Sequence, residues 1–134
     1  MKIAAFWVRI WVSAFVMTAV MTAMTSGLAA QTSPDTRPYD DKLMRLCEIL
    51  GAVHYLRELC GANDGQLWRD RMKELMDSEG SSALRRAKLT RSFNNGYRSY
   101  SRTYNSCSAS AQTAMSRFLA EGAEIASGLV KSAP

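Results

Sequence analysis

Along most of the chain, apolar positions recur at three- and four-residue steps, the period of a helix. Leu43, Leu46, Cys47, Leu50, Val53, His54 and Leu56 predict a first helix. Asp40 or Asp41 can cap its start, and it ends near Cys60-Gly61, where Gly61 suits the left-handed position after a helix. Asn63-Asp64-Gly65 is a turn, with Asn63 or Asp64 as a cap for a second helix carrying Leu67, Trp68, Met72, Leu75 and Met76. Residues 78–82 interrupt it around Gly80, and Ser81 or Ser82 can cap a third helix.

In that third segment Leu89, Phe93, Tyr97, Tyr100 and Tyr104 form one stripe, and Lys88, Arg91, Asn95, Arg98 and Arg102 form another on the opposite side. Asn94-Asn95-Gly96 is a hairpin-type turn signal, but its flanks do not alternate with period two, so the helix is expected to continue. Gly96 should weaken or kink it by about 1 kcal/mol relative to alanine. Ser108 or Ser110 can cap a last helix whose apolar face is Ala111, Met115, Phe118, Gly122, Ile125 and Leu129. Residues 131–134 read as a frayed tail. There is no strand pattern, internal repeat or low-complexity tract. The expected fold is a single small all-α domain of three to four packed helices over residues 40–130.

The N-terminus follows a different rule. Lys2 and Arg9 precede an apolar run from Ile10 to Met24, and Ser26-Gly27-Leu28-Ala29-Ala30 supplies small residues at its end. That is the pattern of a secretory signal peptide over residues 1–30, cleaved after Ala29 or Ala30. A spanning helix needs about 20 apolar residues, and extending this run back to Ile3 would bury Arg9. No transmembrane segment is therefore expected after processing, and the expected location is the periplasm. Residues 31–39, with two of the three prolines, read as a flexible lead-in. The mature part has about 105 residues, the length of one domain, and Trp68 is its only tryptophan.

Processing also changes the charge. Without Lys2 and Arg9 the balance falls from +5 to +3. Residues 31–79 hold ten acids and seven bases, whereas residues 80–120 hold seven bases (Arg85, Arg86, Lys88, Arg91, Arg98, Arg102, Arg117) and no acid. Such segregation serves either internal complementation, with Asp70, Glu74, Asp77 and Glu79 as the partners, or an anionic binding partner. The candidate face is Lys88, Arg91, Arg98 and Arg102. For an exported chain the partner would be an envelope protein, a cell-wall polymer or an anionic lipid surface, not nucleic acid.

Three cysteines in an oxidising compartment imply one disulfide and one thiol left over. Cys47 and Cys60 lie thirteen residues apart on one predicted helix, about 20 Å along its axis, too far for a bridge whose Cα atoms must come within about 7 Å. Cys107 is thus one partner. Cys60, at a helix end, is the other, and Cys47 behaves as a small apolar residue.

His54 is the only histidine, with Glu58 one turn later and Cys47 two turns earlier. His54 with Glu58 is a candidate polar site, and with the tyrosine stripe it supports an alternative function, an accessory enzyme acting on cell-wall material. A histidine hydrogen-bonded within its own helix is the simpler expectation. No second histidine completes a metal-ligand set. There is no nucleophile elbow, phosphate-cradling glycine loop or H-E-x-x-H, and Glu121 with Glu124 alone specifies nothing. No catalytic residue, cofactor or metal is expected, and nothing in the chain asks for an enzyme. The leading expectation is a non-enzymatic binding module of the cell envelope.

Three blocks carry a family resemblance: Cys-Glu-Ile-Leu-Gly-Ala-Val-His-Tyr-Leu-Arg-Glu-Leu-Cys-Gly (47–61), Leu-Trp-Arg-Asp-Arg-Met (67–72) and Arg-Ser-Phe-Asn-Asn-Gly-Tyr-Arg-Ser-Tyr-Ser-Arg-Thr-Tyr-Asn-Ser-Cys (91–107). Together they resemble an uncharacterised family of small exported alphaproteobacterial proteins, a domain of unknown function, across most of residues 40–128. The resemblance implies a periplasmic location in a Gram-negative cell. It implies no activity, cofactor or catalytic residue.

Overall fold

Helical periodicity becomes four helices in the computed structural model, which describes residues 35–132: α1 (Asp40–Leu59), α2 (Leu67–Glu79), α3 (Ala83–Thr103) and α4 (Ala109–Ser132). No strand occurs among the described residues. The expected signal peptide, the start of the lead-in and the last two residues of the expected tail lie outside them. α4 itself runs two residues into that tail.

α1 is the central element. Leu43, Cys47, Ile49, Ala52, Val53 and Leu56 are all buried and point to more than one side, as befits a helix covered on several faces. α2, α3 and α4 each pack on it, and α2 also touches α3. One end of the core joins Leu43 and Cys47 of α1 to Met72, Leu89 and Phe93 of α2 and α3. The other joins Ile49, Ala52, Val53 and Leu56 to Ala111 and Phe118 of α4.

The tightest packing lies where α1 crosses α3. A Cβ placed on Gly51 would overlap the carbonyl oxygen of Phe93 and lie 3.0 Å from the amide nitrogen of Tyr97. A Cβ on Gly96 would overlap the carbonyl oxygen of Glu48 and lie 3.0 Å from the nitrogen of Ala52. The two glycines are reciprocal, each seated against the other helix's backbone. Helix α3 passes unbroken through Asn94-Asn95-Gly96. The glycine expected to weaken α3 thus serves to bring the two backbones together.

Caps follow the sequence at two helices. Ser82 Oγ accepts from the Arg85 amide at 3.0 Å, and Ser108 Oγ accepts from the Ala111 amide at 3.2 Å. Gly61 takes a positive φ of 73° after α1. At the other two helices the expected caps are employed elsewhere. Asp40 and Asp41 sit inside the first turn of α1, where the helix dipole favours a carboxylate. Asp64 accepts from Arg57 Nη2 at 2.6 Å and from Trp68 Nε1 at 2.8 Å, and Gln66 stands at the start of α2 without a side-chain cap.

The end of the expected flexible lead-in is tied down over residues 35–39. Asp35 accepts from the hydroxyls of Ser81 and Ser82, and Glu79 accepts from Arg37 and Tyr39 at 3.1 and 3.2 Å. Arg85 anchors this seam from within. It is only 1 % exposed, yet it donates to the carbonyl oxygens of Glu79 and Asp35 at 2.6 and 2.9 Å and pairs with Asp40 at 2.7 Å and Glu79 at 3.2 Å. A guanidinium can be buried this way because its donors meet carboxylates and carbonyls that replace water.

Cys60 and Cys107 form the disulfide, with Cα atoms 4.9 Å apart, tying the end of α1 to the loop before α4. Cys47 is free and fully buried, and burial pushes its thiol up to about 12, so it stays an uncharged apolar group. Among the described residues no helix is long and apolar enough to cross a membrane.

Candidate functional site

The apolar stripe of α3 docks on α1, which turns the opposite stripe outward. Lys88, Arg91, Arg98 and Arg102 are all exposed. They cover about 21 Å of helix. None has an ion-pair partner among the described residues; of the four acids expected to complement them, three are paired elsewhere and Asp70 makes no ion pair with the row. Glu74 pairs with Arg71 at 2.9 Å, Asp77 with Lys73 at 2.8 Å and Arg86 at 3.6 Å, and Glu79 with Arg37 and Arg85. Arg85 and Arg86 therefore drop out of the acid-free run as free charge. What remains on α3 is the four-residue row expected from the sequence, unneutralised, a row of cations whose mutual repulsion an external anion would relieve.

His54 occupies a different place. It is 2 % exposed, at the seam of α1 and α3, with the Phe93 and Tyr97 rings 6.1 and 5.6 Å from its own. Its Nε2 accepts from Arg69 Nε of α2 at 3.0 Å. The histidine is thus bonded across helices rather than to a residue of its own helix, and an accepting Nε2 puts the ring proton on Nδ1. Glu58, one turn on, is exposed and takes a long 3.4 Å bond from the Tyr97 hydroxyl. Burial holds the imidazole's pKa below its ordinary value, with Glu58 opposing and Arg69 reinforcing the shift. In this structure the imidazole is closed off from solvent and its Nε2 is occupied by Arg69.

This arrangement has a pH consequence. The folded pKa of His54 lies below the unfolded one, so its contribution is fully present above about pH 6.5 and is lost as pH falls, because the unfolded chain takes the proton first. Urea unfolding from pH 7.5 to 5 should show wild type losing more stability than His54→Gln. Parallel curves for the two proteins would refute the assignment.

The tyrosines of the stripe are partly buried and pack on one another and on neighbouring rings, and Tyr100 and Tyr104 also line a small pocket of about 210 Å³ beside Arg45, Arg117 and Glu121. Tyr97 meets Tyr55 edge-on at 5.4 Å, Tyr100 meets Phe118 edge-on at 4.8 Å and lies parallel to Tyr104, and the Tyr55 hydroxyl donates to the carbonyl of Tyr104. Sequence reasoning missed Arg45, whose fork holds both carboxylate oxygens of Glu121 at 2.7 and 3.0 Å while its third contact reaches Glu48. This pair links α1 to α4 and holds the Glu121 carboxyl below its ordinary pKa. Arg69 and Arg85 were missed as well. Arg85 had a signal: it stands four residues before Leu89 and eight before Phe93, on the apolar stripe. No group of three or more His, Cys, Asp or Glu side chains able to hold a metal occurs among the described residues.

Residues 38–132 match a family described as protein of unknown function, DUF2385. Neither the curated proteins nor the solved structures contain a match to the chain.

Proposed function

The chain belongs to the DUF2385 family, whose description assigns no activity, and we propose that it is an exported, periplasmic binding module that docks an anionic component of the cell envelope through α3. The observation carrying this reading is the exposed row Lys88, Arg91, Arg98 and Arg102 without internal partners. Two features support export: the signal-peptide pattern of residues 1–30 and a disulfide, which persists only where thiols oxidise. The domain's helices supply rigidity, and the row supplies a linear array of charge matched to a polymer, a lipid surface or an acidic protein.

Each cation near an anionic surface contributes about 1 kcal/mol at physiological salt. Changing the four to glutamate should therefore lower envelope association by a hundredfold or more, roughly 3 kcal/mol, with the unfolding curve unchanged since none of the four supports the core. Fractionation of cells should recover wild type at its processed size in the periplasm, bound to envelope material and released by salt. Undiminished association of the glutamate variant would remove the proposal.

A further inference from the structure

α2 and α4 both pack on α1 but not on each other. The side of α1 between them is therefore the wall of a cleft of about 430 Å³, with Leu46 and Leu50 at its floor and Trp68, Leu75 and Ala123 at its sides. Arg71, at the rim, is the one charged residue among the lining groups, and all the others are apolar or glycine. We propose that this cleft binds a single alkyl chain bearing a carboxylate head, a free fatty acid, with the chain against α1 and the head on Arg71.

Size, polarity and charge select this occupant. The volume falls within the roughly 300–1,000 Å³ of small-ligand sites. A helix is about 10–12 Å across, so a docked helix would lie mostly outside a cleft of this size. The floor offers no hydrogen-bond donor or acceptor from a side chain, which favours a hydrocarbon over a sugar or a peptide. The guanidinium offers a fork that matches a carboxylate's two oxygens. Arg71 now pairs only with Glu74 at 2.9 Å, and both side chains are more than half exposed, so solvent screens that pair and a ligand head can displace it. The cleft lies on α1, α2 and α4, whereas the basic row lies on α3, so the two sites can be altered separately.

Isothermal titration of the full chain with dodecanoate, below its micellar concentration, tests the assignment, with dodecanol and dodecyltrimethylammonium as same-length comparators. Saturable one-to-one binding of dodecanoate is expected, with the cationic amphiphile bound least. Ala123→Trp, at an exposed position on the cleft wall, should fill the site and weaken binding by about tenfold or more. Ala126→Leu on the same wall provides a smaller filler should the tryptophan disturb the fold. Arg71→Gln should weaken dodecanoate by about tenfold and leave dodecanol unchanged. The glutamate variant of the α3 row should bind dodecanoate as wild type does. Absence of saturable binding, indifference to both cleft-filling variants, or an Arg71→Gln that binds dodecanoate normally would overturn the proposal.

Discussion

Gly96→Ala is expected to destabilise the domain by at least about 2 kcal/mol, although helix propensity alone favours it by about 1 kcal/mol. Two effects of opposite sign meet at this residue. Alanine in mid-helix restricts the unfolded chain and improves the local preference. Against that, the new methyl group would overlap the Glu48 carbonyl oxygen and sit 2.8 Å from its carbon. Backbone atoms on a neighbouring helix cannot turn away as a side chain can, so α1 and α3 must separate. Overpacking of this kind costs about 3 kcal/mol or more, the upper part of the usual range, and the penalty wins. The melting temperature should fall by roughly 8–16 °C.

Gly51→Ala should behave alike, since its Cβ would overlap the Phe93 carbonyl oxygen. Once one substitution has pushed the helices apart, the second meets a wider gap, so the double variant should lose clearly less than the sum. Gly128→Ala provides the control, because that glycine is exposed on α4 and its Cβ meets nothing within 4 Å. It should be neutral or mildly stabilising. A Gly96→Ala protein as stable as the Gly128→Ala protein would contradict the packing described.

The same glycines show where a sequence stops being informative. Helix α3 was legible from Leu89, Phe93, Tyr97, Tyr100 and Tyr104 because period is a local property. Ser82, Ser108 and Gly61 were legible because a cap acts within three or four residues. The 60–107 bridge was legible because helix length excluded the 47–60 pairing and Cys60, unlike the mid-helix Cys47, stands at a helix end. Gly96 looked like a defect and Gly51 drew no reading, because only the crossing of two helices 45 residues apart gives a missing Cβ a purpose. Asp40 and Asp64 looked like caps, but arginines elsewhere in the chain claimed them, Arg85 from 45 residues away. The basic row could be read from its three- and four-residue steps. That it is unneutralised could not, since this depends on where Glu74, Asp77 and Glu79 find their partners. Arg69 gave no sign that it would meet His54, because nothing local couples a residue of α2 to one of α1.

Replacing Cys60 and Cys107 together by serine is expected to cost about 4 kcal/mol, the chain-entropy value for a bridge spanning 47 residues. For a domain whose whole stability is about 5–15 kcal/mol, that is the difference between a secure fold and a marginal one. The location makes the loss effective. The bridge encloses all of α2 and α3, and it fixes the entry point of α4, which otherwise holds to α1 through Ala111, Phe118 and the Arg45–Glu121 pair. Without it the unfolded chain expands, so the urea midpoint should fall while the slope of free energy against urea rises. Wild type in excess reductant should reproduce both changes. The native core needs no rearrangement to lose the bridge, since both sulfurs sit at a helix end and in a loop, so the serine variant should retain its helical signal at low temperature. An unchanged midpoint in the serine variant would mean that α1, α3 and α4 hold together without the link. The expected result makes much of the domain's stability, though not its helices, depend on the bridge.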